Sequence, residues 1–269
     1  MLRWVSACVG LVLSAMPAAS NELLDQLTTV MRLDDVASIL RQEGLEHGRN
    51  LDADMLGNSG GAYFTSGVSD IYSTDRIKQT IHDALADNMS AEQMQESAVF
   101  FASDLGQTII SLENSARQAY ADPVIEEMAV ERWAALGNDA PRRVLIEEYV
   151  AVNDLIERNV DGTLSSDFSF FKGVASVRGV IRDDQMLLAE LWEQRDTVRT
   201  ETEAWIYGFL LMAYQPLSDQ EMRENIDFSA TDTGQVLNDA LFHGFRRLYD
   251  EIYFDLGQAV AQAMFASEL

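Results

Sequence analysis

Apolar residues recur at every third or fourth position along most of the chain, and this spacing is the strongest constraint on its fold. Ile77, Ile81 and Leu85, for example, share one face of a helix over residues 74–88. The chain contains only four prolines, and no stretch of convincing length has the alternation that is typical of a strand. We therefore predict an all-α protein, a helical bundle of roughly eight to ten helices.

Two segments interrupt the helical pattern and are predicted to be loops. Residues 57–69, GNSGGAYFTSGVS, are rich in glycine and serine. Residues 159–168, NVDGTLSSDF, contain an Asp-Gly and a Ser-Ser pair, which are turn signals.

The chain contains an internal repeat with an offset of 128 residues. SAEQMQESAVFFASDLGQTI (90–109) aligns without a gap with SDQEMRENIDFSATDTGQVL (218–237), and eight of the twenty positions are identical. We therefore predict two tandem helical units, residues 21–140 and residues 141–269, built as separate units or packed as one domain.

Each copy of the repeat opens with the pattern of a helix N-terminus. Ser90 precedes Gln93 by three residues, and Ser218 precedes Glu221 by three residues. This spacing is typical of a capping box, in which the hydroxyl and the longer side chain satisfy backbone N–H groups reciprocally.

A second helix start is predicted within each copy, where Phe100 and Phe228 precede the motif. Asp104 to Gln107 and Asp232 to Gln235 have the spacing of a further capping box, with Ser103 and Thr231 just outside the helix. A third fragment, FDLGQ at residues 254–258, continues an apolar face that starts at Leu241, and this spacing indicates a position inside a longer helix. Gly106 and Gly234 weaken a helix, so their repetition predicts close approach of a neighbouring backbone or aromatic ring.

A binding role for these helix starts is the alternative to a structural one. Free N–H groups at a helix N-terminus can bind an anion. The motif contains no cationic side chain that would complete such a site, so the structural interpretation is favoured.

The motif resembles that of an exported bacterial family known as domain of unknown function 2059. The pattern of that family is an aromatic residue, a short gap, Ser-Pro or similar, and then Gly-Gln opening a helix. The matching residues are Phe100 or Phe101, Ser103, Asp104, Gly106 and Gln107, and a second time Phe228, Thr231, Asp232, Gly234 and Gln235. The chain departs from the pattern by having aspartate where the family often has proline, and the resemblance implies no established activity.

The first twenty residues have the layout of a secretory signal peptide. Arg3 precedes an apolar run, and Ala18 and Ser20 stand where a signal peptidase requires small residues. The run has about 13 residues, fewer than the ~20 that span a bilayer. We therefore predict a signal peptide at residues 1–20, a periplasmic location and no transmembrane segment in the mature chain. Cys8, the single cysteine, would leave with the signal peptide.

The charge of the chain limits its partners. It has 19 Lys and Arg against 44 Asp and Glu, a formal net charge of −25. The negative electrostatic potential of such a chain repels the phosphate backbone of nucleic acid, so no nucleic-acid partner is predicted. A protein partner is compatible with this charge, but its identity cannot be read from the sequence.

The sequence offers no recognisable catalytic, cofactor-binding or metal-binding pattern. His47, His82 and His243 stand in separate segments. The pattern G-x-S-x-G occurs as GNSGG at residues 57–61, but a helical chain lacks the strand-turn-helix elbow that exposes such a serine for catalysis. We therefore predict no catalytic residues, no metal and no cofactor. Convergence of His82 or His243 with two carboxylates in a cleft would instead favour an enzyme.

Two functional hypotheses follow. The first is an exported, non-catalytic helical protein that acts by protein interaction in the cell envelope. The second is a carrier of an apolar small molecule in a cavity between helices. An aromatic seam near the C-terminus is compatible with core packing or with a groove, and it consists of Phe242, Phe245, Tyr249, Ile252 and Leu256.

Overall fold

The computed structural model describes residues 16–179 and 183–267, and over these residues all regular secondary structure is helical. The prediction of an all-α bundle is confirmed, but the helices are more numerous than the eight to ten predicted. In chain order they are α1 (Met16–Val30), α2 (Leu33–Leu56), α3 (Gly61–Ile71), α4 (Thr74–Asn88), α5 (Ala91–Ala102), α6 (Asp104–Tyr120), α7 (Pro123–Ala134), α8 (Pro141–Val152), α9 (Leu155–Arg178), α10 (Asp184–Glu193), α11 (Arg195–Ala213), α12 (Asp219–Ser229) and α13 (Asp232–Ser267).

Both predicted loops are wrong, and each is largely helical. Most of residues 57–69 belongs to α3, where Phe64 and Val68 are buried in the core. Residues 159–168 lie inside α9, where Val160 is fully buried. In each segment the burial of apolar side chains outweighs the weak helix propensity of glycine and serine.

The longest helix, α13, holds the bundle together. It packs mainly along α9 and also contacts α2, α3, α4, α5 and α12. Two glycines allow the close approach of α9 and α13. A β carbon on Gly173 would lie 2.0 Å from the carbonyl oxygen of Phe254, and one on Gly257 would lie 2.1 Å from that of Phe170. The third motif fragment, at residues 254–258, is therefore a packing contact inside a helix.

Three apolar cores are present, and each contains residues from both predicted units. One is formed by α6 and α7 with α8, α9, α11 and α12. The second joins α2, α3 and α4 to α13. The third joins α1, α4 and α5 to α13. The residues before and after position 140 are thus packed against each other throughout the bundle.

The order of helices repeats along the chain. α2 and α9 have 24 residues each. Each follows a residue with left-handed backbone, Arg32 (φ 52°) or Asp154 (φ 50°), and each ends at a left-handed glycine, Gly57 or Gly179. These matches extend the repeat from the motif to the helices that precede it in each half of the chain. The division into two units stays a prediction, because each core combines residues from both halves.

The length and apolar content of each helix decide whether it could span a membrane. Among the described residues, no helix is both long and apolar enough to cross a bilayer. Residues 1–15 of the predicted signal peptide lie outside the described residues. The signal peptide and the periplasmic location therefore stay predictions.

Candidate functional site

In each motif copy a serine is the N-cap of the first helix. The Ser90 hydroxyl accepts a hydrogen bond from the backbone N–H of Gln93, whose side chain accepts from the backbone N–H of Ser90. Ser218 and Glu221 make the same reciprocal pair. The residue after each pair is a buried methionine, Met94 in α5 and Met222 in α12. The two capping boxes therefore fix the start of the helix face that packs in the core.

Replacing Ser90 with alanine is expected to lower the free energy of unfolding by about 1 kcal/mol, because the backbone N–H of Gln93 at the start of α5 loses its hydrogen-bond acceptor. Urea denaturation followed by far-UV circular dichroism measures this change. Ser115→Ala, at an exposed position inside α6, is the matched control and should raise stability by up to about 0.5 kcal/mol. Equal effects at the two serines would contradict a capping role for Ser90.

The second helix of each copy starts one residue earlier than predicted. Ser103 is the N-cap of α6, and its hydroxyl accepts from the N–H of Gly106 at 3.0 Å. Thr231 makes the same bond to Gly234 at the start of α13. Asp104 and Asp232 are therefore the first helical residues. There the negative charge of each side chain interacts favourably with the positive end of the helix dipole. At the N-cap position a short hydroxyl side chain reaches a backbone N–H of the first turn, and at the first helical position an aspartate lies close to the positive end of the helix dipole.

The two glutamines of the motif tie segments together and do not complete a capping box. The Gln107 amide donates to the carbonyl oxygens of Val30 and Phe101, both at 2.7 Å. The Gln235 amide donates to those of Val152 at 3.1 Å and Ser229 at 2.6 Å. Each glutamine thereby satisfies carbonyls at the C-terminal ends of two other helices.

The motif glycines allow two helices to touch through their backbones. A β carbon on Gly106 would lie 2.3 Å from the carbonyl oxygen of Phe100, and one on Gly234 would lie 2.1 Å from that of Phe228. The close neighbour is thus the backbone carbonyl of the phenylalanine that precedes the motif, and not an aromatic ring.

The two copies of the motif meet in the structure. The rings of Phe100 and Phe228 stack with centroids 3.9 Å apart and planes inclined by 3°, and Phe101 packs edge-on against both. Residues that occupy equivalent positions in the repeat are therefore in direct contact.

A cavity of about 310 Å³ lies beside this ring pair. Phe101, Phe228 and Gly234 of the motif form part of its wall. Much of the wall is apolar and includes Ile81, Leu85, Ile109, Ile110, Phe209, Leu237, Leu241 and Phe245, whereas its polar residues include Glu113, Asn114, Arg117, Tyr149, Asn153, Asn225 and Asn238. Small-molecule pockets combine an apolar wall with a few polar groups in this manner.

A polar cluster, defined as Glu113, Tyr149, Tyr214 and Asn225, lies at this cavity. The Tyr214 hydroxyl donates to the Glu113 carboxyl. Burial raises the pKa of the Tyr149 and Tyr214 hydroxyls, and the neighbouring Glu113 raises them further. Both tyrosines therefore remain protonated hydrogen-bond donors.

Glu113 is the charged group of this cluster. Burial raises the pKa of its carboxyl, and the hydrogen bond from Tyr214 opposes that effect. Arg117, one turn further along α6, lines the same cavity but donates to Glu43 at 2.7 and 2.9 Å. No ion pair links Glu113 to a Lys, Arg or His among the described residues. Its charge is thus left without a cationic partner in the cavity.

Of the three histidines, His82 comes nearest to the arrangement that would favour an enzyme, since two carboxylates lie beside it at a groove. His82 lies in an outer groove of about 400 Å³ between α1, α2 and α4. Its Nε2 is 3.7 Å from Asp25 Oδ1 and its Nδ1 is 3.8 Å from Asp83 Oδ1, which is too far for hydrogen bonds. His47 instead stacks on Tyr253, and His243 is exposed. Within residues 16–179 and 183–267, no three His, Cys, Asp or Glu residues are placed to hold a metal ion.

Comparison with known proteins adds a family match for part of the chain. Residues 75–132 match the model of a family described as "Uncharacterized protein conserved in bacteria (DUF2059)". The resemblance inferred from the motif is confirmed over this DUF2059 segment, which runs from α4 into α7 and contains Glu113 and Arg117. The second motif copy lies outside it. No curated protein and no solved structure gives a significant match.

Sequence reasoning did not find the polar cluster, although one of its members left a signal. Ile109, Ala116 and Tyr120 are buried on one face of α6, and Glu113 lies on that same face at helical spacing. A single carboxyl inside an apolar stripe is unusual and marks a candidate site. The other members lie in distant helices, so their convergence depends on the tertiary fold.

Proposed function

We propose that the protein is an exported, non-catalytic binding protein that holds a small molecule in the cavity between its helices. The observation that supports this proposal is the cavity of about 310 Å³ with its mixed lining. This volume lies at the lower end of the range for small-molecule pockets. The hypothesis of a carrier thus receives more support than the other functions considered.

The position of the cavity also favours ligand binding. Its wall combines residues of α4 and α6 with residues of α12 and α13, so a ligand would contact both halves of the chain. A partly open cavity of this size, lined by a carboxyl and several amides, is typical of a ligand site.

Export and the lack of catalysis are parts of the proposal that rest on the sequence. Export rests on the signal-peptide pattern of residues 1–20, and a periplasmic location follows from it. The non-catalytic role rests on the lack of a metal-binding motif in the sequence and of a strand-turn-helix elbow around the G-x-S-x-G match at residues 57–61.

Native mass spectrometry of the protein purified from the cells that produce it tests this function. We expect a co-purified small molecule bound at one copy per chain. Leu241→Trp places a larger side chain in the cavity wall and should reduce the bound fraction by at least about tenfold, which corresponds to 1.4 kcal/mol.

Phe242→Trp is the matched control, since Phe242 is the next residue on α13, lies outside the lining and contacts Arg158 through its ring. This variant should retain the ligand. Equal loss from both variants, or a wild-type protein that never carries a small molecule, would contradict the proposal.

A second candidate function, protein interaction in the cell envelope, is favoured by one surface feature. Met186, Leu188 and Trp192 on α10 are 62%, 52% and 65% exposed. Exposed apolar side chains grouped on one short helix are frequent at protein interfaces. A stoichiometric protein partner in the same native mass spectra, lost in Trp192→Ser and kept in Leu241→Trp, would favour this function over ligand binding.

A further inference from the structure

Glu113 is placed as a binding group for a positive charge. It is half-buried and lines the cavity. An ionised carboxyl in such a place is costly unless a cation or several hydrogen bonds stabilise it. Its hydrogen bond from Tyr214 is one such contact, and Arg117, the cation in the cavity wall, is held by Glu43.

Two amides provide independent evidence that a polar ligand group is accommodated in this part of the cavity. Asn225 is 4% exposed, and its amide nitrogen lies near the Tyr149 hydroxyl without completing a hydrogen bond of good geometry. The amide nitrogen of Asn114, the residue after Glu113, has no hydrogen-bond partner. Both residues belong to the cavity lining. Buried polar groups without partners are rare and call for an explanation such as a ligand. Because amide nitrogens are donors, the ligand group that they indicate is a hydrogen-bond acceptor, separate from any positively charged group.

The remainder of the wall suits an apolar body and tolerates a positive charge. It contains the aromatic rings of Phe101, Phe209, Phe228 and Phe245. Aromatic faces attract cations, and they do so most strongly where water is excluded. The net charge of −25 further attracts small cations towards the protein.

We propose that the ligand of this cavity is a small organic amine, with its ammonium group against the Glu113 carboxylate and its apolar body among the phenylalanine rings. This inference rests on the proposed ligand-binding function. The ammonium group would donate a charge-assisted hydrogen bond to Glu113, and such bonds are about twice as strong as neutral ones. An anionic ligand would instead place two negative charges together in a buried site.

The test compares three probes that share one apolar body and differ in charge. Isothermal titration calorimetry of the full mature chain at pH 7 would use naphthalen-1-ylmethylamine, naphthalen-1-ylmethanol and naphthalene-1-carboxylate. We expect the amine to bind about tenfold more tightly than the alcohol. The carboxylate should bind more weakly than both.

Glu113→Gln assigns the preference to this residue. Glutamine has the same shape and still accepts the hydrogen bond from Tyr214, but it carries no charge. We expect this variant to lose about tenfold in affinity for the amine and to bind the alcohol within about twofold of the wild type. Leu241→Trp should weaken the binding of the amine and of the alcohol alike, since it reduces the volume of the cavity and leaves its charge unchanged.

The outcomes separate the two proposals. Binding of the alcohol or the carboxylate as tightly as the amine would overturn the amine inference and leave the ligand-binding function standing. Failure of all three probes to bind the wild-type protein would overturn the ligand-binding function, and the inference with it. The comparison of probes on the wild-type chain needs no variant, so it decides the question even if Glu113→Gln is unstable.

Discussion

Replacing Gly173 with alanine is expected to lower the free energy of unfolding by about 3 kcal/mol. The new β carbon would stand 2.0 Å from the carbonyl oxygen of Phe254. That oxygen belongs to the backbone of α13 and cannot rotate away, so α9 and α13 would have to separate. Because α13 contacts five other helices as well as α9, the separation would disturb the whole bundle.

Gly162→Ala in the same helix is the matched control. A β carbon on Gly162 meets no atom within 4 Å, and alanine forms helix more readily than glycine. This variant should therefore raise stability by up to about 1 kcal/mol. Denaturation of both variants in urea measures the difference. A loss of less than about 1 kcal/mol in Gly173→Ala would contradict the close contact of the two backbones.

Removing the Tyr214 hydroxyl is expected to cost about 2 kcal/mol at neutral pH. Tyr214 is fully buried, and its hydroxyl donates to the Glu113 carboxyl. Phenylalanine keeps the ring but leaves the carboxyl without this donor. Chemical denaturation of Tyr214→Phe gives the loss directly. Tyr63→Phe, at a tyrosine that is 80% exposed, is the control and should change stability by less than about 0.5 kcal/mol.

The cost of Tyr214→Phe should increase with pH. The hydrogen bond from Tyr214 favours the ionised carboxyl, while burial raises the pKa of Glu113 and favours the protonated form. The stability that protonated Glu113 contributes is complete below the pKa of the unfolded chain and is lost as pH rises towards the folded pKa. Glu113→Gln should remove this pH dependence. A Tyr214→Phe cost that is independent of pH would contradict the contact with Glu113.

The starts of the repeated helices could be predicted because capping is a local property. The hydroxyl of Ser90 and the side chain of Gln93 are only three residues apart, so spacing alone indicates their contact. The error of one residue at Ser103 and Asp104 arose because both residue types are good N-caps. The choice between them depended on backbone geometry that the sequence does not reveal.

The two loop predictions failed because they relied on local propensity alone. The glycine- and serine-rich residues 57–69 form α3 since Phe64 and Val68 pack against helices distant in the chain. Residues 159–168 form part of α9 since Val160 is fully buried in the core. Tertiary burial of this kind outweighs an unfavourable helix propensity of about 1 kcal/mol per glycine.

The cavity could not be predicted from the sequence. Glu113, Tyr149, Tyr214 and Asn225 lie on different helices or helix ends, and no spacing relates one to another. Only the carboxyl on the apolar face of α6 was visible beforehand. The location of empty space depends on how the helices fit together, which no single segment encodes.

The stacked pair of Phe100 and Phe228 determines what would follow from cutting the chain near residue 140. Each fragment would keep one ring of the pair and expose its face, and the first fragment would also lack α13, which covers α2, α3 and α4. Neither fragment would therefore be a self-sufficient domain. Mixed together, the two fragments would regain the ring pair, the shared cores and the cavity only by complementing each other as a non-covalent complex.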